Sequence, residues 1–315
     1  MDSIGWSGWE LLLVSLLNGL SYGLLLFMLS AGLTLIFSLM GVLNFAHASF
    51  YMLGAYLGYS ISAHWGFGLA LLLAPLLVGA LGALFERYCL RRVHRFGHVP
   101  ELLVTWGLSY LVLELVQLLW GRSTVPYALP EWLQGPLFSL YGVQFPKSRA
   151  FIMVVALLML AAVGWLLTRT RIGLLIQAAL EHPDMVQALG HNVPRVFMLV
   201  FGGGCALAAL AGVIGGNTYI TEPGMAAAVG SIIFVVVVVG GIGSLLGAFW
   251  ASLLIGLLQT LAVSMDTPLA RWWPTLANGA LERLTVAQLA PILPYVLLVL
   301  VLLLRPQGLL GQRQD

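Results

Sequence analysis

Long apolar runs alternate along this chain with short polar connectors, and that rhythm predicts helices that cross a bilayer. Such a helix needs about 20 consecutive, mostly apolar residues. Runs bounded by charges or prolines place spans at about 10–38, 48–63, 67–87, 101–120, 150–168, 196–216, 229–241, 245–263 and 291–304. The first run, Leu11 to Met40, fits one long tilted helix or two short ones joined near Ser30 to Gly32. It is much longer than a signal-peptide core of roughly 7–15 residues. No basic segment precedes it, so it is expected to stay uncleaved. The predicted fold class is all-α, a polytopic membrane protein of eight to ten transmembrane helices, with residues 1–315 forming one domain.

Two of the apolar stretches are broken by small and polar residues: Gly41-Val42-Leu43-Asn44-Phe45-Ala46-His47 and Gly240-Gly241-Ile242-Gly243-Ser244. At an offset of 200, Gly41 aligns with Gly241, Asn44 with Ser244, Ala48 with Ala248 and Phe50 with Trp250. This has the look of a weak internal repeat. Transporters are often built from duplicated halves whose broken helices meet around the solute. Gly241, Gly243 and Ser244 therefore join Asn44 and His47 as candidates for a pathway or its gate.

Composition agrees with the pattern: 60% of residues are hydrophobic and 8% charged, against about a quarter charged in a soluble domain. The net charge of +2 says little, because the placement of Lys and Arg sets membrane orientation. Arg87, Arg91, Arg92 and Arg95 follow the third span, Arg169, Arg171 and Arg195 flank a central polar segment, and Arg305 and Arg313 follow the last span. These mark the cytoplasmic face and put the C-terminus there. Arg122, Lys147, Arg149, Arg271 and Arg283 fall in two longer outer loops, 121–149 and 264–290. Trp132, Tyr141, Trp272 and Trp273 in those loops suit segments lying on the membrane surface. One helix over 11–40 puts the N-terminus outside; two put it inside. Cys89 and Cys205 give neither a disulfide framework nor metal-ligand spacing.

The segment about 169–195 is the one long inner loop with helical content. Ile172, Leu175, Ile176 and Ala179 recur at helical spacing, Pro183 interrupts, Asp184 is placed to cap a second short helix, and Gly190 to end it. Two short amphipathic helices would form a knob with Leu175, Met185 and Leu189 exposed. Such a face lies on lipid headgroups or docks in a partner's groove.

Within the spans, polar side chains must face protein, water or solute. Asn44 is placed to cap a helix starting near Phe45, and His47 to bond a backbone carbonyl near the cytoplasmic end; gating is the sharper alternative. Glu114 lies inside the fourth span on the same face as Gln117. A carboxylate at that depth costs roughly 2.5–3.5 kcal/mol on insertion scales, which leaves it pairing with Arg122 or lining a pathway. Glycine runs at 202–204 and 212–216 suit close helix packing. No Gly-x-x-x-x-Gly-Lys-[Ser/Thr] loop exists, and Lys147 is the only lysine, so ATP would be handled by another chain. Six histidines show no metal spacing, and no nucleophile–base pair suggests an enzyme.

Several stretches together resemble the inner-membrane permeases of branched-chain amino acid ATP-binding-cassette importers. They are Asn44-Phe45-Ala46-His47 followed by Tyr51-Met52-Leu53-Gly54-Ala55-Tyr56, Arg171-Ile172-Gly173 through Ala188-Leu189-Gly190, Gly240 to Ser244, and Arg305-Pro306-Gln307-Gly308-Leu309. The match runs in order from about residue 10 to 311. The resemblance implies that the 169–195 loop enters a groove of an ATPase subunit. That assigns coupling to Gly173, Ala178, Ala188, Leu189 and Gly190, beside the exposed Met185. It also implies two cytoplasmic ATP-binding subunits, a second permease, sibling or self, and an external solute-binding protein in a bacterial inner membrane. ATP and Mg would sit on the partners; the chain is expected to hold no cofactor of its own and to meet lipid but no nucleic acid. Ala48 and Gln177 depart from the family, which usually has Gly and often a basic residue there. Urea or amides on the same framework, and ion-coupled transport through Glu114, are the alternative functions.

Overall fold

The computed structural model describes residues 8–140, 143–265 and 285–311. It is built from helices α1 (Gly8–Met40), α2 (His47–Trp65), α3 (Phe67–Phe85), α4 (Arg91–His94), α5 (His98–Trp120), α6 (Lys147–Arg169), α7 (Arg171–Glu181), α8 (Pro183–Ala188), α9 (Val193–Thr218), α10 (Met225–Gly240), α11 (Leu245–Ser264), α12 (Val286–Leu289) and α13 (Leu293–Leu304). A π-helical turn, Glu86–Leu90, joins α3 to α4. Each predicted span falls on one of these helices. Among the described residues, six helices are long and apolar enough to cross a membrane, and α10 and α13 are shorter apolar helices.

The alternatives at the first run resolve as one continuous helix of 33 residues, about 50 Å long at 1.5 Å per residue. Ser30 and Thr34 do not break it because their hydroxyls bond back to the Phe27 and Ser30 carbonyls at 3.2 and 2.9 Å. Along with α9, it forms the buried centre of the bundle. Small residues make that centre possible, since helices in lipid associate by close packing rather than by escaping water. Gly212 lies against the Tyr51 backbone, Gly54 against Ala209, Gly204 against Gly32, and Gly82 against Cys205. Gly23 meets Gly256 where α1 crosses α11. The glycine-rich runs of α9 thus serve packing, as the sequence suggests.

Beyond the membrane helices, residues 121–146 depart from a purely surface-lying loop. Val125 pairs with Thr221, and Tyr127 is buried beside Val213. An antiparallel hairpin, β1 (Pro136–Leu140) and β2 (Val143–Pro146), follows, with Phe138 stacked on Phe145 at 5.2 Å. Trp132 packs edge-on to Phe151 at 5.4 Å while staying largely exposed. Tyr141, Arg271, Trp272, Trp273, Arg283 and Arg313 lie outside the described residues.

The 169–195 segment is a helical hairpin of α7 and α8. Thr170 caps α7, its Oγ1 accepting the Gly173 N–H at 3.1 Å. Asp184 does not cap α8: Pro183 occupies the first turn, so the cap position falls to His182 and Asp184 sits inside the helix. There its charge still favours the positive end of the helix dipole. Gly190 follows with φ +86°, a left-handed conformation that lets the chain turn out of α8.

Candidate functional site

Asn44 and His47 prepare the start of α2. The Asn44 side-chain oxygen accepts the Ala46 N–H at 3.1 Å, so Asn44 caps a turn while the helix proper begins at His47. His47 Nε2 faces the Leu29 carbonyl at 2.9 Å. Leu29 lies about 16 Å up α1 from Met40 at the helical rise. The Phe45 N–H donates to Thr105 Oγ1 at 3.3 Å, about 10 Å up α5 from His98. The break between α1 and α2 therefore climbs back into the bundle, and the pair lies deeper than the cytoplasmic end expected from the sequence. The Leu29 carbonyl of α1 and Thr105 on α5 hold it there; neither is visible in local periodicity.

The two residues line a cavity of about 650 Å³ between α2, α5, α10 and α13. Trp106, Tyr110 and Phe234 provide its aromatic surface, and Ser49, Ser109, Ser231 and Tyr295 its hydroxyls. The Tyr295 hydroxyl donates to Ser231 Oγ at 2.8 Å. Asn44 and His47 are buried, yet Asn44 Nδ2 and His47 Nδ1 have no hydrogen-bond partner among the described residues. Sequence reasoning found the polar pair but missed the aromatic wall. Rings at 106, 110 and 234 come from two helices more than 100 residues apart, and each alone reads as an ordinary membrane aromatic.

The other intramembrane candidates stand elsewhere. Glu114 is exposed on α5, one turn beyond Tyr110, and among the described residues it forms no salt bridge with Arg122. Gly121 ends α5 just before Arg122 with φ +89°, so Arg122 does not continue the helical face of Glu114. Gly241, Gly243 and Ser244 form the break between α10 and α11 and do not line the cavity. Ser244 caps α11 by accepting the Gly247 N–H at 3.0 Å. Gly241 and Gly243 have φ +100° and +89°, and Gly41, the repeat mate of Gly241, also has positive φ, +65°. Over Gly241 lies the chain after α13: the Leu309 and Leu310 N–H groups donate to the Val239 and Gly240 carbonyls at 2.8 and 3.0 Å. The glycine break and the Arg305 to Leu309 stretch, separate in sequence, are two sides of one contact.

On the knob, Ala178, Met185, Ala188, Leu189 and Gly190 are exposed, Leu189 by 78% and Met185 by 66%. Leu175, expected on the outer face, instead packs against a small core of Ala179, Val186 and Val193. Gly173 is buried, its missing Cβ leaving space for the Leu166 and Leu167 carbonyls at the end of α6; it sets the knob's angle and does not face outward.

A charged cluster missed by the sequence reading ties the knob's exit to the bundle. The Arg91 guanidinium donates to both carboxylate oxygens of buried Glu86, at 3.2 and 2.7 Å, and to the Pro194 carbonyl at 2.6 Å. Buried Glu101 accepts from His94 and, at 3.4 Å, from His98. Glu86 and Arg91, five apart at the end of an apolar run, were the available signal. No group of three or more potential metal ligands occurs among the described residues.

The sequence profile of a family described as branched-chain amino acid transport system / permease component matches residues 15–302. The high-affinity branched-chain amino acid transport system permease protein BraD of Pseudomonas aeruginosa is 29% identical, with 95% of this chain and 96% of BraD covered. The corresponding protein LivH of Escherichia coli is also 29% identical over the same shares. A probable branched-chain amino acid transport permease protein LivH of Methanocaldococcus jannaschii is 27% identical over 76% of this chain and 78% of its own. No solved structure matches.

Proposed function

Because the chain belongs to the family of branched-chain amino acid transport system permease components, we propose that it is the membrane subunit of an ATP-binding-cassette importer. In this role it moves branched-chain or related amino acids into the cytoplasm. Two ATP-binding subunits dock on the cytoplasmic face and hydrolyse ATP with Mg, a second permease completes the pathway, and an external binding protein delivers solute. In this reading residues 87–95, 169–195 and the C-terminus face the cytoplasm of an inner membrane, and a single first span would put the N-terminus outside.

The observation that carries this role is the knob. Leu189 and Met185 are exposed at the tip of a helical hairpin whose own core, Ala179, Val186 and Val193, is already closed. A protruding apolar tip on a self-supported base suits insertion into a partner's groove. The base is fixed to α6 through Gly173 and to the α3–α4 turn through Arg91 and Pro194. Movement of the ATPases would therefore reach the bundle by rigid-body displacement rather than be absorbed in a slack loop.

On the membrane side, Trp106 and Tyr110 are each 53% exposed beside the cavity, as one wall of a space shared with a second permease would be. Glu114 on the same helix would face that shared space or the second subunit, because lipid is a costly neighbour for a carboxylate. Replacing Leu189 with Glu and Gly190 with Asp is expected to abolish co-purification of ATPase subunits and uptake of leucine, with membrane insertion retained. Intact docking and uptake in that variant would overturn the coupling role.

A further inference from the structure

Independently of what the chain transports, we propose that the elbow between α3 and α5, residues 86–98, is a binding site for the headgroup of an anionic phospholipid, whose phosphate is held by Arg87, Arg92 and Arg95.

The elbow sorts its charges. Between Leu81 and Leu103 the acidic residues are Glu86 and Glu101, and both are turned into the protein, each 2% exposed. The π-helical turn does part of this sorting. Its wider i→i+5 bonding lets the Arg91 N–H donate to the Glu86 carbonyl, which brings the Arg91 guanidinium round onto the Glu86 carboxylate. Glu101 is covered in turn by His94 and His98. Both buried carboxylates therefore have their partners. Arg87, Arg92 and Arg95 are left exposed, and they form no salt bridge among the described residues. Each presents a planar fork of donors that matches the oxygens of a phosphate, and no exposed carboxylate in the segment competes for them.

The height of the elbow selects a lipid. Leu81 and Leu84 at the end of α3, and Val99 and Leu103 at the start of α5, are largely exposed on helices apolar enough to cross a membrane. Leu84 stands three residues before Arg87 and Val99 four after Arg95, so hydrocarbon ends within about one helical turn of the arginines on either side. That is the level of the headgroups. Two exposed rings stand among the charges: the Arg87 guanidinium lies 5.4 Å from the centre of the Tyr88 ring, and that of Arg95 lies 4.7 Å from the Phe96 ring. A guanidinium drawn to a ring by its face keeps the donors at its edge. Free phosphate would meet the same arginines but would leave the leucines and rings bare. The acyl chains of a lipid cover them.

The test is native mass spectrometry of the full chain with whatever subunits accompany it, in mild detergent. It is titrated with dioleoyl phosphatidylglycerol and, separately, with dioleoyl phosphatidylcholine, which has the same chains and phosphate but no net charge. The anionic lipid is expected to bind at least about tenfold more tightly. Arg87→Gln, Arg92→Gln and Arg95→Gln should each weaken it about fivefold, the effect of one arginine at an anionic surface, and leave phosphatidylcholine unaffected. Arg171→Gln and Arg305→Gln, which remove charge predicted for the same membrane face but outside the elbow, should leave both affinities unchanged. The comparison of the two lipids on the unmutated chain does not depend on how any variant folds. Equal affinity for the two lipids, equal losses from the elbow and the outlying variants, or displacement of the lipid by inorganic phosphate at the same concentration would each overturn the proposal. So would elbow variants that keep their lipid affinity and lose accompanying ATPase subunits, since the elbow would then be a protein-docking surface.

Discussion

Position 173 has room for a hydrogen and little more, because the Leu166 and Leu167 carbonyls occupy the place of a Cβ. Gly173→Val is expected to tilt the knob off α6 and lower uptake per ATP hydrolysed, while the exposed tip still captures ATPase subunits. Simultaneous uptake and ATPase assays in liposomes check this, and unchanged stoichiometry would refute it. Arg91 poses a different problem. Removing it leaves the buried Glu86 carboxylate and the Pro194 carbonyl without their donor. Loss of one partner of a buried ion pair costs several kcal/mol, discounted here because Arg91 is about one-third exposed. Arg91→Ala is expected to destabilise the chain by about 2 kcal/mol, read as a lowered thermal midpoint in mild detergent. Glu86→Gln together with Arg91→Met should recover part of it. Sequence revealed the polar pair at 44 and 47 because polar atoms in an apolar run are conspicuous. It could not reveal Glu86 or Glu101 as buried, since charges at the end of a span ordinarily reach water.

Among the elements, a helix under each of the nine predicted spans was legible, and six of the described helices are long and apolar enough to cross lipid, because an apolar run of that length has few alternative folds. The knob was legible through Pro183 and Gly190, whose backbone limits act locally. The same local logic misassigned Asp184, because Pro183 took the first turn, and Leu175, because Val193 from the next helix covered it. What stayed hidden were contacts between distant segments, above all the chain after α13 crossing the α10–α11 break. Gly308 has φ +77° and lies against Gly241. Gly308→Val would meet both backbone strain and that neighbour. Loss of the two hydrogen bonds from Leu309 and Leu310 would forfeit about 1 kcal/mol each. Faster proteolysis after Leu304 and a lower thermal midpoint are expected, and an unaltered digestion pattern would refute the bracing role.

At the scale of the whole molecule, Glu114 is exposed on an apolar helix and forms no salt bridge among the described residues. Glu114→Leu is expected to insert normally and still capture ATPase subunits, but to weaken the pairing of permeases on native gels and slow uptake. Unchanged pairing and uptake would place Glu114 outside both the shared pathway and the subunit contact. Orientation has its own check: a tag joined to the C-terminus should be protected in intact cells and become accessible when the membrane is opened. The contact between residues 238–241 and 307–311 also orders events during synthesis. The carbonyls of Val239 and Gly240 leave the ribosome 70 residues ahead of the N–H groups of Leu309 and Leu310 that engage them, an interval of several seconds at about 5–20 residues per second. Until α13 has inserted, those two carbonyls at the α10–α11 turn would have water in place of their later donors.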